Sequence, residues 1–182
     1  MTHRIAPTTP ANAPEATKPL LAQMKSALGM IPNLYATAGH SPGTLDAVLR
    51  WGAAIDEGGL SRREIEQLHL HVSELNGCAY CVAAHGALAA RAGLSAAEAE
   101  AARAGLGANE RESALLALAR RVVRTGGAQA GTELARAREA GVGDREIVDV
   151  LAIVALKAFT NALALVAETE IDFPKARRSP QR

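Results

Sequence analysis

The feature that most constrains this chain is its punctuation. Glycines at 39, 58, 59, 93, 105, 107, 126, 127, 141 and 143 cut its 182 residues into segments of helical length. Helix-start signals stand at several of the openings. Ser61 is followed by Glu64, and Ser95 by Glu98. At that spacing a hydroxyl accepts a first-turn N–H while the glutamate reaches back. Asn109 with Glu112 is a weaker version, and Ser41 before Pro42 fits an N-cap and a first helical position. Alanine is abundant and β-branched runs are short, which favours helix. No segment alternates long enough to make a strand. The expected helices cover 17–28, 31–38, 42–57, 62–75, 78–92, 96–104, 110–125, 130–140 and 144–169. The fold class is therefore all-α.

Length and composition bound the rest. A chain of 182 residues fits one domain, here 20–174, with a lead at 1–19 and a tail at 175–182. The lead is rich in Thr, Pro and Ala and has no apolar run after a basic start. It is expected to be poorly ordered, and a secretory signal is not expected. The tail carries Lys175, Arg177, Arg178 and Arg182 and reads as a solvated basic end. A net charge of +1 gives no general attraction for nucleic acid or an anionic membrane. Aromatics at 3% argue against base stacking. The longest apolar stretch, Val148 to Val166, is broken by Asp149, Lys157, Thr160 and Asn161, so it reads as a buried helix rather than a membrane span. Arg63-Glu64-Ile65 and Arg145-Glu146-Ile147 open two of the helices with the same triplet, and nothing further is built on that echo.

The chemistry is concentrated at Cys78, Cys81 and His85, and these are the only two cysteines. Asn76-Gly77 is a break signal, so a helix can start at Cys78. On that helix Cys78 and Cys81 are i and i+3, and Cys81 and His85 are i and i+4, which aligns all three on one stripe. A helix N-terminus favours a thiolate, and an imidazole can take the proton. A second cysteine three residues away can resolve a sulfenic acid into a disulfide. His85 is one turn from Cys81, whereas the helix N-terminus favours Cys78, so these two physical considerations disagree on the attacking thiol. Two thiolates and an imidazole are also good zinc ligands. A fourth would have to be His69, His71, a carboxylate or water. His69 and His71 are two apart, point to different faces, and read as surface or interface residues. Glu66 to His69 is half of a di-iron helix signature, and the other half is missing.

The run from Glu66 through Cys78-Ala-Tyr-Cys81-Val-Ala-Ala-His85 resembles the alkylhydroperoxidase D-like members of the carboxymuconolactone decarboxylase family. Gly29-Met-Ile-Pro-Asn-Leu-Tyr35 with His40-Ser-Pro42 is similar to the N-terminal part of its peroxidase-related branch. Asp144-Arg-Glu-Ile147, Phe159-Thr-Asn161 and Ile171-Asp-Phe-Pro174 are similar to the C-terminal part. The resemblance implies an alkylhydroperoxidase D-like helical bundle assembling as a trimer or hexamer. It also implies thiol peroxidase activity, with Cys81 attacking, Cys78 resolving, His85 relaying a proton and Glu66, twelve residues before Cys78, supporting the relay. It calls for no cofactor or metal. The expected partners are a peroxide substrate and a dithiol or thioredoxin-like reductant, in the cytoplasm, where reducing conditions reset the pair. Tyr80 stands where the namesake hydroperoxidase has histidine. A phenol with an unperturbed pKa near about 10 is no base at neutral pH, so Tyr80 can only donate, accept or pack. The alternatives are a lactone decarboxylase-like lyase, which needs no vicinal thiols, and a non-catalytic redox or zinc-sensing module.

Overall fold

The computed structural model describes residues 3–174. The basic tail at 175–182 therefore lies outside the described residues. All regular structure among the described residues is helical: α1 Lys18–Leu28, α2 Asn33–Ala38, α3 Pro42–Asp56, α4 Arg62–Leu75, α5 Ala79–Arg91, α6 Ala96–Arg103, α7 Glu110–Thr125, α8 Gly131–Glu139 and α9 Asp144–Ala167.

The capping boxes form. Ser61 and Ser95 each accept from the amide of the glutamate three residues on, and each glutamate reaches back to the cap amide. Asn109 caps α7 by accepting from the Glu112 amide at 2.9 Å, but the Glu112 carboxylate turns to Arg63 and Gln67 instead. Ser41 differs from expectation. Its hydroxyl pairs with that of Thr44 at 2.8 Å and caps no amide, while Pro42 opens α3 as the sequence suggests.

α4 is the central element and packs against α5, α6, α7 and α9. The main core joins Val48, Ile65, Leu68, Val72, Leu115, Leu118, Val150 and Ile153 from α3, α4, α7 and α9. Each fully buried Leu, Ile or Val side chain contributes about 1.5–3 kcal/mol. α9 is long and apolar enough to cross a membrane by length and composition, yet it lies against α2, α3, α4, α5 and α7 with half of its most apolar window buried. The two Arg-Glu-Ile openings meet at one residue. The Arg111 guanidinium donates to Glu64 at 2.7 Å and also to Glu146, tying the starts of α4 and α9 to α7.

The lead corrects the sequence expectation over residues 3–17. It lies on the body and is held there by named bonds. The Thr8 hydroxyl donates to the Ala36 carbonyl at 2.7 Å, and the Thr17 hydroxyl to the Gly39 carbonyl at 2.6 Å. Ala13 joins a small core with Leu21, Met24 and Leu45. Gly39 admits this approach, because a Cβ there would stand 2.8 Å from the Thr17 methyl. Low hydrophobicity gave no signal for this docking; it depends on threonine hydroxyls meeting carbonyls distant in sequence.

Candidate active site

The site begins where α4 ends. Asn76 closes the helix, and Gly77 follows with φ +69, a left-handed conformation that costs glycine little. The chain then turns back so that Cys78 becomes the N-cap of α5. Its Sγ accepts the Cys81 amide at 3.3 Å. A sulfur is standing in for the usual cap oxygen. Both cysteines are free thiols, each 1% exposed.

The ionisation of the pair follows from that arrangement. Hydrogen bonding with the Cys81 thiol lowers Cys78 to about 7, against the opposing effect of burial. The Cys81 amide and the charge of Lys157 act in the same lowering direction and are part of that outcome. Cys81 is pushed well up, first by its bond to Cys78 and then by burial. The first negative charge of the dithiol therefore rests on Cys78, with the Cys81 proton shared toward it.

A chain of buried polar groups lies beside the thiols. Glu66 on α4 is 4% exposed, and its Oε2 meets His85 Nδ1 at 2.8 Å. His85 Nε2 meets Lys157 Nζ, from α9, at 2.9 Å. A carboxylate accepts and an ammonium donates, so His85 is neutral with its proton on Nδ1. Burial, and then Lys157, hold His85 well below the ordinary histidine range. His69 stacks on His85 with ring centroids 4.2 Å apart and is held down by burial and then by His85. Burial raises Glu66 and lowers Lys157. Each is partly restored by opposite charge: Lys157 acts on Glu66, and Cys81, Cys78 and Glu66 act on Lys157. The result is a carboxylate and an ammonium joined through one neutral imidazole.

Several sequence expectations change here. Glu66, Cys78, Cys81 and His85 come together. His85 does not bond Cys81, however, because both its ring nitrogens are taken by groups from other helices. Neither His69 nor His71 is a surface residue. His69 stacks in the site, and His71, 2% exposed, donates from Nδ1 to the Arg103 carbonyl. Among the described residues no cluster of three or more His, Cys, Asp or Glu side chains could hold a metal.

Tyr80 is a packing residue. Its hydroxyl accepts the Leu34 amide at 3.2 Å, and its ring meets Phe173 edge-on at 5.8 Å. Burial raises the phenol so far that it stays neutral. Sequence reasoning missed Lys157 as a site residue. The signal was present, since Lys157 is the lone cation within the mostly apolar run from Val148 to Val166 of α9.

Comparison with known proteins narrows the reading. Residues 42–121, from α3 into α7, match the carboxymuconolactone decarboxylase family. That segment is similar to this family. It carries Glu66, His69, both cysteines and His85, whereas Lys157 enters from beyond it. No curated protein matches the chain.

Among solved structures, an uncharacterized peroxidase-related protein with an alkylhydroperoxidase AhpD core, from Ralstonia eutropha JMP134, superposes with a TM-score of 0.83 at 24% identity, covering 94% of each chain. An uncharacterized peroxidase-related protein from Silicibacter sp. TM1040 gives 0.77 at 22% identity, covering 87% of this chain and 86% of that one. The debrominase Bmp8 gives 0.76 at 20% identity, covering 93% and 92%. The fold is the alkylhydroperoxidase D-like helical fold. The likeness over residues 42–121 and the shared fold are what the comparisons establish for this chain.

Proposed function

We propose that the chain is a thiol-dependent peroxidase that reduces hydrogen peroxide or an organic hydroperoxide at Cys78 and Cys81. The observation that carries this reading is the pair of free thiols sharing one helix N-terminus beside the Glu66–His85–Lys157 chain. The shared proton moves from Cys81 to Cys78, which leaves a thiolate on Cys81. That sulfur attacks the terminal peroxide oxygen, an S–O bond forms and the O–O bond breaks. The alkoxide leaves and takes a proton from the Lys157 ammonium, which is held by His85 and, through it, by Glu66. Sulfur is oxidised to a sulfenic acid and the peroxide is reduced to an alcohol, or to water where the substrate is hydrogen peroxide. Cys78 then attacks the sulfenic sulfur, water leaves, and a Cys78–Cys81 disulfide remains. An external dithiol or thioredoxin-like protein in the cytoplasm returns the two electrons and two protons.

Cys81→Ser should abolish peroxide reduction, while Cys78→Ser should allow one stoichiometric turnover. The reverse pattern would exchange the two roles, and turnover that persists in the double variant would overturn the reading. Decarboxylation of a muconolactone that survives thiol alkylation would favour the lyase alternative. The debrominase structure with 2,3,4-tribromopyrrole names another electrophile on this fold. Bromide release from that compound without any reaction toward hydroperoxides would move the assignment there.

The active form is proposed to be a homo-oligomer, a trimer or a hexamer. Leu151, Phe159, Leu165 and Val166 of α9 and Trp51 of α3 are exposed, which supports cover by a further copy. Sedimentation as a monomer at micromolar concentration would contradict this.

A further inference from the structure

We infer that Asn161 is the group that receives the substrate oxygen at the thiol pair; this rests on the peroxidase reading above. Asn161 lies on α9 one turn beyond Lys157, and Ala164, a turn further on, packs with Leu34, Cys78, Tyr80 and Cys81. Positions i, i+4 and i+7 share one face of a helix. Asn161 is therefore placed between the lysine that meets His85 and the alanine that meets the cysteines. It is 1% exposed, and neither its Oδ1 nor its Nδ2 has a hydrogen-bond partner among the described residues. A buried amide unpaired at both ends is rare in a folded protein and calls for an explanation. The adjacent Thr160 shows the ordinary outcome, since its hydroxyl donates back to the Leu156 carbonyl at 3.1 Å.

The helix facing α9 repeats the pattern. On α4, which packs against α9, His69 Nδ1 and Ser73 Oγ are also buried without partners, and they lie one turn apart. Unmet donors and acceptors on two packed helices beside a reactive thiol suit a small, polar, uncharged guest. A hydroperoxide has that chemistry, because its O–OH group both donates and accepts. As the Cys81 sulfur bonds to the terminal oxygen, charge develops on the oxygen that leaves. The Asn161 Nδ2–H group stabilises that charge until the alkoxide is protonated from Lys157. Asn161 thus acts on the reacting oxygen, and Lys157 supplies the countercharge and the proton.

The test compares wild type with Asn161→Leu, which keeps the branched shape and the number of heavy atoms and removes both polar atoms. Three readouts are needed: the second-order rate with cumene hydroperoxide, the pH profile of iodoacetamide alkylation, and the thermal midpoint. The peroxide rate should fall about 100-fold, as when an oxyanion donor is lost. The alkylation profile should not move, and the midpoint should stay or rise, because an unpaired buried amide has gone. An unchanged peroxide rate would overturn the inference. So would peroxide and iodoacetamide rates falling together with a lower midpoint. If Asn161→Leu does not fold, Asn161→Ser should outpace Asn161→Ala about tenfold, since serine keeps a donor, and equal rates would overturn the inference. A wild type that ignores the peroxide is a separate outcome: it removes the peroxidase reading and this inference with it.

Discussion

Two polar networks run along α4, and they are built in opposite ways. The first tethers helix starts. Arg111 joins Glu64 and Glu146, while Arg63 donates to Glu112 at 2.9 Å and also to Glu98. Gln67 donates to Glu112 at 2.8 Å. Every charged head in it has a partner of opposite sign or a backbone group, and both arginines remain about 30% exposed. The second network holds Glu66, His69, His85 and Lys157 in the interior beside two thiols, with Ser73 and Asn161 nearby on the same two helices. It contains a buried cation and several polar atoms with no partner. Leaving such a group unpaired costs about 1–3 kcal/mol. A satisfied network serves stability. One left incomplete around a nucleophile serves a guest.

The largest expected effect comes from removing the cation of the second network. Lys157→Met should lower the rate with peroxide about 100-fold, because both the thiolate countercharge and the proton donor are lost. Its alkylation profile should also move. In the native chain Cys78 is lowered to about 7, so iodoacetamide reactivity should rise through that pH. Without the lysine the rise should shift upward, leaving about tenfold less thiolate at neutral pH. An unmoved profile would show that the lysine does not act on the thiols.

The same lowering has a stability counterpart. The folded state releases the Cys78 proton more readily than the unfolded chain, so between about 7 and the ordinary value of 9.0 the unfolded chain binds more protons. This contribution is fully present above the ordinary thiol range and is lost as pH falls through about 7. Denaturant midpoints of the reduced wild type across that window, compared with those of Cys78→Ser, should show it. A difference that does not vary with pH would contradict it.

The first network gives the next effect. Arg111→Ala should cost about 1–2 kcal/mol of stability, because Glu64 and Glu146 are left facing each other partly buried. The rate with peroxide should stay within about twofold of wild type. A large catalytic loss with unchanged stability would erase the distinction between the networks. The smallest effect is expected at Tyr80. Tyr80→Phe removes one acceptor for the Leu34 amide and should cost about 1 kcal/mol. Its pH–rate profile should match that of wild type, since the phenol is neutral throughout. A shifted profile would return Tyr80 to the proton path.

The sequence carried the local parts of this account well. Capping boxes at Ser61 and Ser95, glycine breaks and i, i+4 spacing are short-range features, and they formed as expected. The cysteine pair, His85 and Glu66 could be picked out for the same reason, helped by a family resemblance. What stayed hidden was contact between distant segments. Nothing near His85 in the chain says that its two nitrogens go to α4 and α9 rather than to Cys81. Nothing near Thr8 or Thr17 says that their hydroxyls meet carbonyls of Ala36 and Gly39. Lys157 and Asn161 were visible only as interruptions of an apolar run. Both are buried on α9, Lys157 meeting His85 and Asn161 standing one turn further on, which marks a charged or amide residue in a buried helix as a place to look for chemistry.

The central claim is that Cys78 and Cys81 form a peroxide-reactive dithiol. Intact-mass spectrometry of the reduced protein after one equivalent of cumene hydroperoxide, timed against a free thiol, tests it most directly. The account predicts rapid loss of two hydrogens, mapped to a Cys78–Cys81 bridge. Oxidation no faster than the free thiol would contradict it.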